Sequence, residues 1–185
     1  KNIIYMYYIY VMRLANLIYN NKMLETDENK DNFLQSEYFM NMAYKEALKA
    51  YKKTEVPIGA VIAKEGIIIS KAHNERETKN DATLHAEISA IKKACRKLGS
   101  WRLDGCDIYV TLEPCLMCAG AIIQARIRTV FIGALDPKAG AFGSVTDVRN
   151  IQQLNHKINA VYGIMEKECS NVLKEFFKEL RSQTD

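Results

Sequence analysis

Apolar residues fall at helical spacing from Tyr38 to Tyr51, and again through Ile88, Ile91, Ala94, Cys95 and Leu98, where Gly99 ends the stripe. Between these two predicted helices the period changes. Val56 to Ala63 and Gly66 to Ser70 read as the strands of a hairpin that turns at Lys64-Glu65. Short apolar runs at Asp107 to Leu112 and Thr129 to Gly133 predict two more strands, and Ala160 to Tyr162 predicts a weaker fifth. A closing helix is predicted from about Glu166 to Leu180. Alternating strands and helices without an internal repeat give an α/β fold. In such folds helix starts collect at the carboxyl ends of strands, where open sheets bind ligands.

Composition narrows this only slightly. With 185 residues, 48% of them hydrophobic, the chain has material for one domain with a full core. The predicted domain is 36–185, preceded by an N-terminal extension over 1–35. Within that extension Tyr19 to Asn32 is rich in Asn, Lys and acids and reads as a flexible lead-in. Ile3 to Met12 is apolar, but Arg13 interrupts it, and so short a run falls well below the ~20 residues needed to cross a bilayer. No membrane association and no cleaved signal are expected. A net charge of +4 permits RNA binding without showing it. Lys92, Lys93, Arg96, Lys97, Arg126, Arg128, Lys178 and Arg181 are candidate phosphate contacts, each more readily read as a solvated surface charge. An odd count of five cysteines points to a reducing compartment, the cytoplasm, and not to a disulfide framework.

The chemistry sits in His85-Ala86-Glu87 and Pro114-Cys115-Leu116-Met117-Cys118. Cys115 and Cys118 share a face if a helix begins just after Pro114, and His85 and Glu87 reach one site only at a helix start with His85 at its boundary. Helix N-termini also favour thiolate over thiol. His85, Cys115 and Cys118 thus supply three zinc ligands and leave the fourth tetrahedral position open. Water at such a position has its pKa lowered from 15.7 to roughly 7, so a nucleophile exists at neutral pH. Glu87, ligating nothing, is placed to shuttle the proton. A lone Cys-x-x-Cys also serves as a redox pair or half of a structural zinc site. A structural site needs a fourth ligand, and Cys95, Cys106 and Cys169 are scattered and read as small buried hydrophobes.

The resemblance of the chain extends beyond this motif. Glu55-Val56-Pro57-Ile58-Gly59-Ala60-Val61, His73-Asn74, His85-Ala86-Glu87-Ile88, Tyr109 to Ala121, Gly133 to Lys138 and Phe176-Phe177 together resemble the bacterial tRNA-specific adenosine deaminases of the cytidine deaminase-like superfamily. The resemblance covers about Tyr38 to Arg181. It implies a three-layer α/β/α sandwich around a five-stranded mixed sheet, and a homodimer to which Met117, Ile122 and Ile123 would contribute unless they are core. It implies one Zn2+ per subunit on His85, Cys115 and Cys118, Glu87 as proton shuttle, and a tRNA anticodon stem-loop whose wobble adenosine becomes inosine. Asn74 would then contact the flipped base and Asp136 the target ribose. Ala86, Pro114, His156 and Phe177 would be further substrate contacts, with Phe176 turned inward. One departure stands before the zinc histidine, where the family's Asp-Pro-Thr-Ala-His is Asp81-Ala82-Thr83-Leu84-His85; without the proline that loop is expected to be less fixed.

Two other readings share these residues. A deaminase of a free base or nucleoside, of guanine or cytosine type, would use the same zinc chemistry without a basic groove. A non-catalytic, zinc-stabilised RNA-binding module would have no use for Glu87.

Overall fold

The computed structural model describes residues 27–182. The chain divides into two units after Ser36. Of the first, the described part opens helix α1 (Asp27–Tyr51), where the Ser36 hydroxyl donates to the Asn32 carbonyl at 2.9 Å. The expectations for residues 1–26 lie outside the described residues. α1 begins earlier than the predicted Tyr38, because its polar opening carries no apolar stripe. From Phe39 on, the stripe of Phe39, Met40, Ala43, Ala47 and Ala50 is buried.

The second unit continues with β1 (Gly59–Lys64), β2 (Ile67–His73), a short α2 (Arg76–Lys79), α3 (Ala86–Leu98), β3 (Cys106–Leu112), α4 (Leu116–Gln124), β4 (Thr129–Ala134), a 3-10 turn (Val148–Asn150), β5 (Asn159–Tyr162) and α5 (Glu166–Ser182). The predicted hairpin turns at Glu65 and Gly66, both at positive φ (50° and 77°), which suits the right-handed twist of paired strands. α2 and the 3-10 turn are too short to show a periodicity.

The sheet is mixed, in the order β2-β1-β3-β4-β5. β1 runs antiparallel to both β2 and β3, whereas β3, β4 and β5 are parallel. Alternate residues divide the strands between two faces. Ala60, Ile62, Ile108, Val110, Val130 and Ile132 join Ala86, Ala90 and Ala94 of α3 and Ala119 and Ile122 of α4 in one buried cluster. Each fully buried isoleucine there contributes about 1.5–3 kcal/mol.

On the opposite face Tyr109 stacks on Phe131 at 4.4 Å between centroids and meets Phe39 of α1 at 5.0 Å. Close approach on this side depends on two glycines. A Cβ on Gly59 would lie 2.0 Å from the Ala43 carbonyl oxygen, and one on Gly133 would lie 2.6 Å from Cys169 Sγ of α5. Two helices therefore cover each face, as the three-layer sandwich requires. Leu112 of β3 pairs in register with Ala134 of β4, so the loops carrying Cys115 and Asp136 leave the sheet side by side.

Candidate active site

Two helix starts converge at this edge. His85 is the N-cap of α3 in extended conformation (φ −71°, ψ 155°), and Cys115 is the N-cap of α4 in the same region (φ −71°, ψ 172°). Pro114 accordingly stands before the cap, two positions earlier than a proline that opens a helix. Neither side chain makes a capping hydrogen bond. Both are left to face each other: His85 Nδ1 lies 3.7 Å from Cys115 Sγ and 3.5 Å from Cys118 Sγ. The three donor atoms all lie within 4.8 Å of one another.

A tetrahedral zinc, with Zn–S near 2.3 Å and Zn–N near 2.0–2.1 Å, sets nitrogen and sulfur ligands roughly 3.6 Å apart. The donor set and its spacing fit that ion. The three groups are also coupled electrostatically: the contact with Cys118, helped by His85, draws the Cys115 thiol down to about 4. That same contact, together with burial, pushes Cys118 up, and His85 is raised by its contact with Cys115.

Glu87 is 3% exposed, and its Oε2 has no hydrogen-bond partner. Burial pushes its carboxyl above the usual range. It lies beside Cys118 but outside the donor cluster. An orphaned carboxylate oxygen is costly in a fold, and this one stands next to three side chains that could hold a metal ion.

A cavity of about 600 Å³ opens beside His85, and its walls include Asn74, Arg76, Asp136, Lys138, Phe177 and Arg181. Asn74 is buried, and its Nδ2 donates to Glu55 Oε2 at 3.0 Å. Asp136 both faces the cavity and forms a turn, its Oδ1 accepting from the amides of Lys138 (2.9 Å) and Ala139 (3.3 Å). On α5 the neighbouring rings divide: Phe176 is buried and Phe177 is 41% exposed on the cavity wall. Of the basic residues named from sequence, Arg181 lines the cavity, joined by Arg76, Lys138 and Lys174. Lys93 and Lys97 instead reach carbonyls of the edge strand β2, and Arg128 pairs with Asp107.

Three expected substrate contacts are not on the cavity wall. Ala86 is fully buried in the apolar core, and Pro114 is buried where β3 passes into α4. His156 lies against a separate, small recess, and its Nε2–H donates to the Ile127 carbonyl at 2.7 Å, which commits the ring to holding the chain ahead of β5. Ile122 and Ile123 are core, whereas Leu116 and Met117 are exposed at the start of α4. In the loop that lacks the family proline, Asp81 Oδ1 accepts from the Thr83 amide (2.8 Å) and hydroxyl (2.7 Å) and so closes the turn.

Two acidic residues escaped the sequence reading. Glu55 holds Asn74, and Glu113, 2% exposed, accepts from the amides of Asp136 (3.0 Å), Phe142 (2.9 Å) and Ser144 (3.1 Å) as well as from the Ser144 hydroxyl. Their only signal was position, just before a strand and just before the Pro-Cys motif.

Residues 34–181 match the MafB19-like deaminase family. A tRNA-specific adenosine deaminase of Bacillus subtilis (strain 168) is 48% identical over 149 residues, which span 80% of this chain and 92% of that protein. A solved structure from work on A-to-I editing by tRNA:A34 deaminases at the wobble position of transfer RNA is similar at TM-score 0.69 and 46% identity, over 74% of this chain and 99% of its own. A solved guanine deaminase from Bacillus subtilis is 44% identical at TM-score 0.51, over 54% of this chain and 64% of its own.

Proposed function

The chain belongs to the MafB19-like deaminase family, among the tRNA-specific adenosine deaminases, and on that premise we propose that its cavity takes a tRNA anticodon loop and converts the wobble adenosine to inosine. The observation that carries this reading is the buried, unpartnered Glu87 oxygen beside a set of three metal donors. One zinc ion per subunit, held by His85, Cys115 and Cys118, would supply a water whose pKa is lowered to roughly 7. Glu87 takes a proton from the attacking water and passes it to the purine ring nitrogen, and the second proton of that same water, left on the new hydroxyl at carbon 6, goes to the departing amine. Adenosine and water thus give inosine and ammonia. Such proton transfer is worth typically ~10² to 10⁴-fold.

Asn74, fixed in the wall, hydrogen-bonds the flipped base, and Asp136 contacts the target ribose. Phe177 offers a face on which an unpaired base stacks, and Arg76, Lys138, Lys174 and Arg181 meet phosphates around the opening. This basic rim favours RNA over a free base. Two copies of the chain pair through the surface that includes Leu116 and Met117, which are apolar, exposed and next to the metal donors. All five cysteines are free, in keeping with work in the cytoplasm. Among the described residues no helix is long and apolar enough to cross a membrane.

The test is inosine formation by zinc-loaded protein on an anticodon stem-loop with a wobble adenosine, beside free adenosine and free guanine. Conversion of the stem-loop alone is expected. Turnover of guanine with the stem-loop left intact would move the assignment to a free-base deaminase.

A further inference from the structure

We propose that Glu55 is a positioning residue for the substrate cavity, orienting the Asn74 carboxamide with one carboxylate oxygen and anchoring α2 with the other. Glu55 is fully buried. Its Oε2 accepts from Asn74 Nδ2 at 3.0 Å, and its Oε1 accepts from both the amide (2.6 Å) and the hydroxyl (2.5 Å) of Thr78. Asn74 is itself buried, tied through its backbone amide to the Ile58 carbonyl at 3.0 Å, and lines the cavity.

The chemistry of the pair removes a degree of freedom. An ionised carboxylate only accepts hydrogen bonds, so only the NH2 end of the carboxamide can face it, and Oδ1 is turned away. An asparagine without such a partner would present either end to a ligand. The other half of the carboxylate holds Thr78, two positions after Arg76, another residue of the cavity wall. One buried side chain therefore sets the orientation of a base-facing group and the placement of a basic one. The hydrogen bonds from Thr78 and the nearby Arg76 outweigh burial and hold the Glu55 carboxyl below its usual range, which keeps it an acceptor at neutral pH. What the carboxylate adds is orientation.

The inference rests on the deaminase reading of the cavity, and a double-mutant cycle tests it. E55Q keeps the volume, but its carboxamide carries one acceptor and one donor and cannot accept on both sides. In the native background E55Q should lower kcat/KM on the anticodon stem-loop by ~10- to 100-fold, with zinc content unchanged. In an N74A background it should lower it by no more than about twofold, because the group it orients is already gone. Equal losses in both backgrounds, or none in either, would overturn the proposal. E55D, which keeps the charge and shortens the reach, runs the same cycle if E55Q does not fold. The Asn74 side-chain amide signals in NMR give a readout free of activity: slowed proton exchange in the unmodified protein and faster exchange in E55Q support the proposal, and identical exchange overturns it. Were the unmodified protein inactive on the stem-loop, the deaminase reading would fall, and the amide signals would decide alone whether Glu55 holds Asn74.

Discussion

Two buried glutamates lie close to Cys115, and the protein treats them in opposite ways. Glu113 is saturated: three backbone amides and a hydroxyl of the 136–144 loop converge on its carboxylate, and the carboxylate fills the space that a Cβ on Gly140 would need. Glu87, just as buried, keeps one oxygen without any partner. The first arrangement offsets the cost of desolvation with hydrogen bonds and fixes a loop. In the second, the cost at that oxygen stands uncompensated by the protein, as expected of a group whose partners are a substrate and a water. Burial alone does not separate these two carboxylates; the count of donors around each does.

Substitutions on the two sides should therefore fail differently. The largest effect falls on the metal side. C118A should remove a donor, abolish stoichiometric zinc in elemental analysis and reduce deamination to background, while the unmodified protein binds one zinc per chain. On the loop side E113A should destabilise the fold by at least about 3 kcal/mol in denaturant unfolding, since it strands several buried donors at once. A smaller E113A effect would erase the contrast between the glutamates. The adjacent phenylalanines sharpen it at lower cost. F176A should cost about 3–5 kcal/mol of stability as a core truncation. F177A should leave stability nearly untouched and weaken binding of the stem-loop, measured by fluorescence anisotropy, by about 1–3 kcal/mol.

The same contrast explains what could be read from the chain alone. The strands and α3 are legible because apolar periodicity marks them, and the clustering of His85, Cys115 and Cys118 is legible because each lies at or just inside a helix start that local sequence signals. The polar opening of α1 shows no such pattern, and α2 spans a single turn. Glu55 and Glu113 act through partners 19 and up to 31 positions away, a pairing that only the folded sheet creates. His156 is a like case: its partner, the Ile127 carbonyl, lies 29 positions back, a pairing that the linear sequence does not show.

The central claim is that the unpartnered oxygen of Glu87 is kept for chemistry. Its most direct test is E87Q, assayed for zinc by elemental analysis, for unfolding temperature, and for single-turnover inosine formation on the stem-loop. The account predicts full zinc, an unfolding temperature no lower than that of the unmodified protein, and a rate reduced by ~10² to 10⁴-fold. A zinc-loaded E87Q that deaminates at the unmodified rate would contradict it.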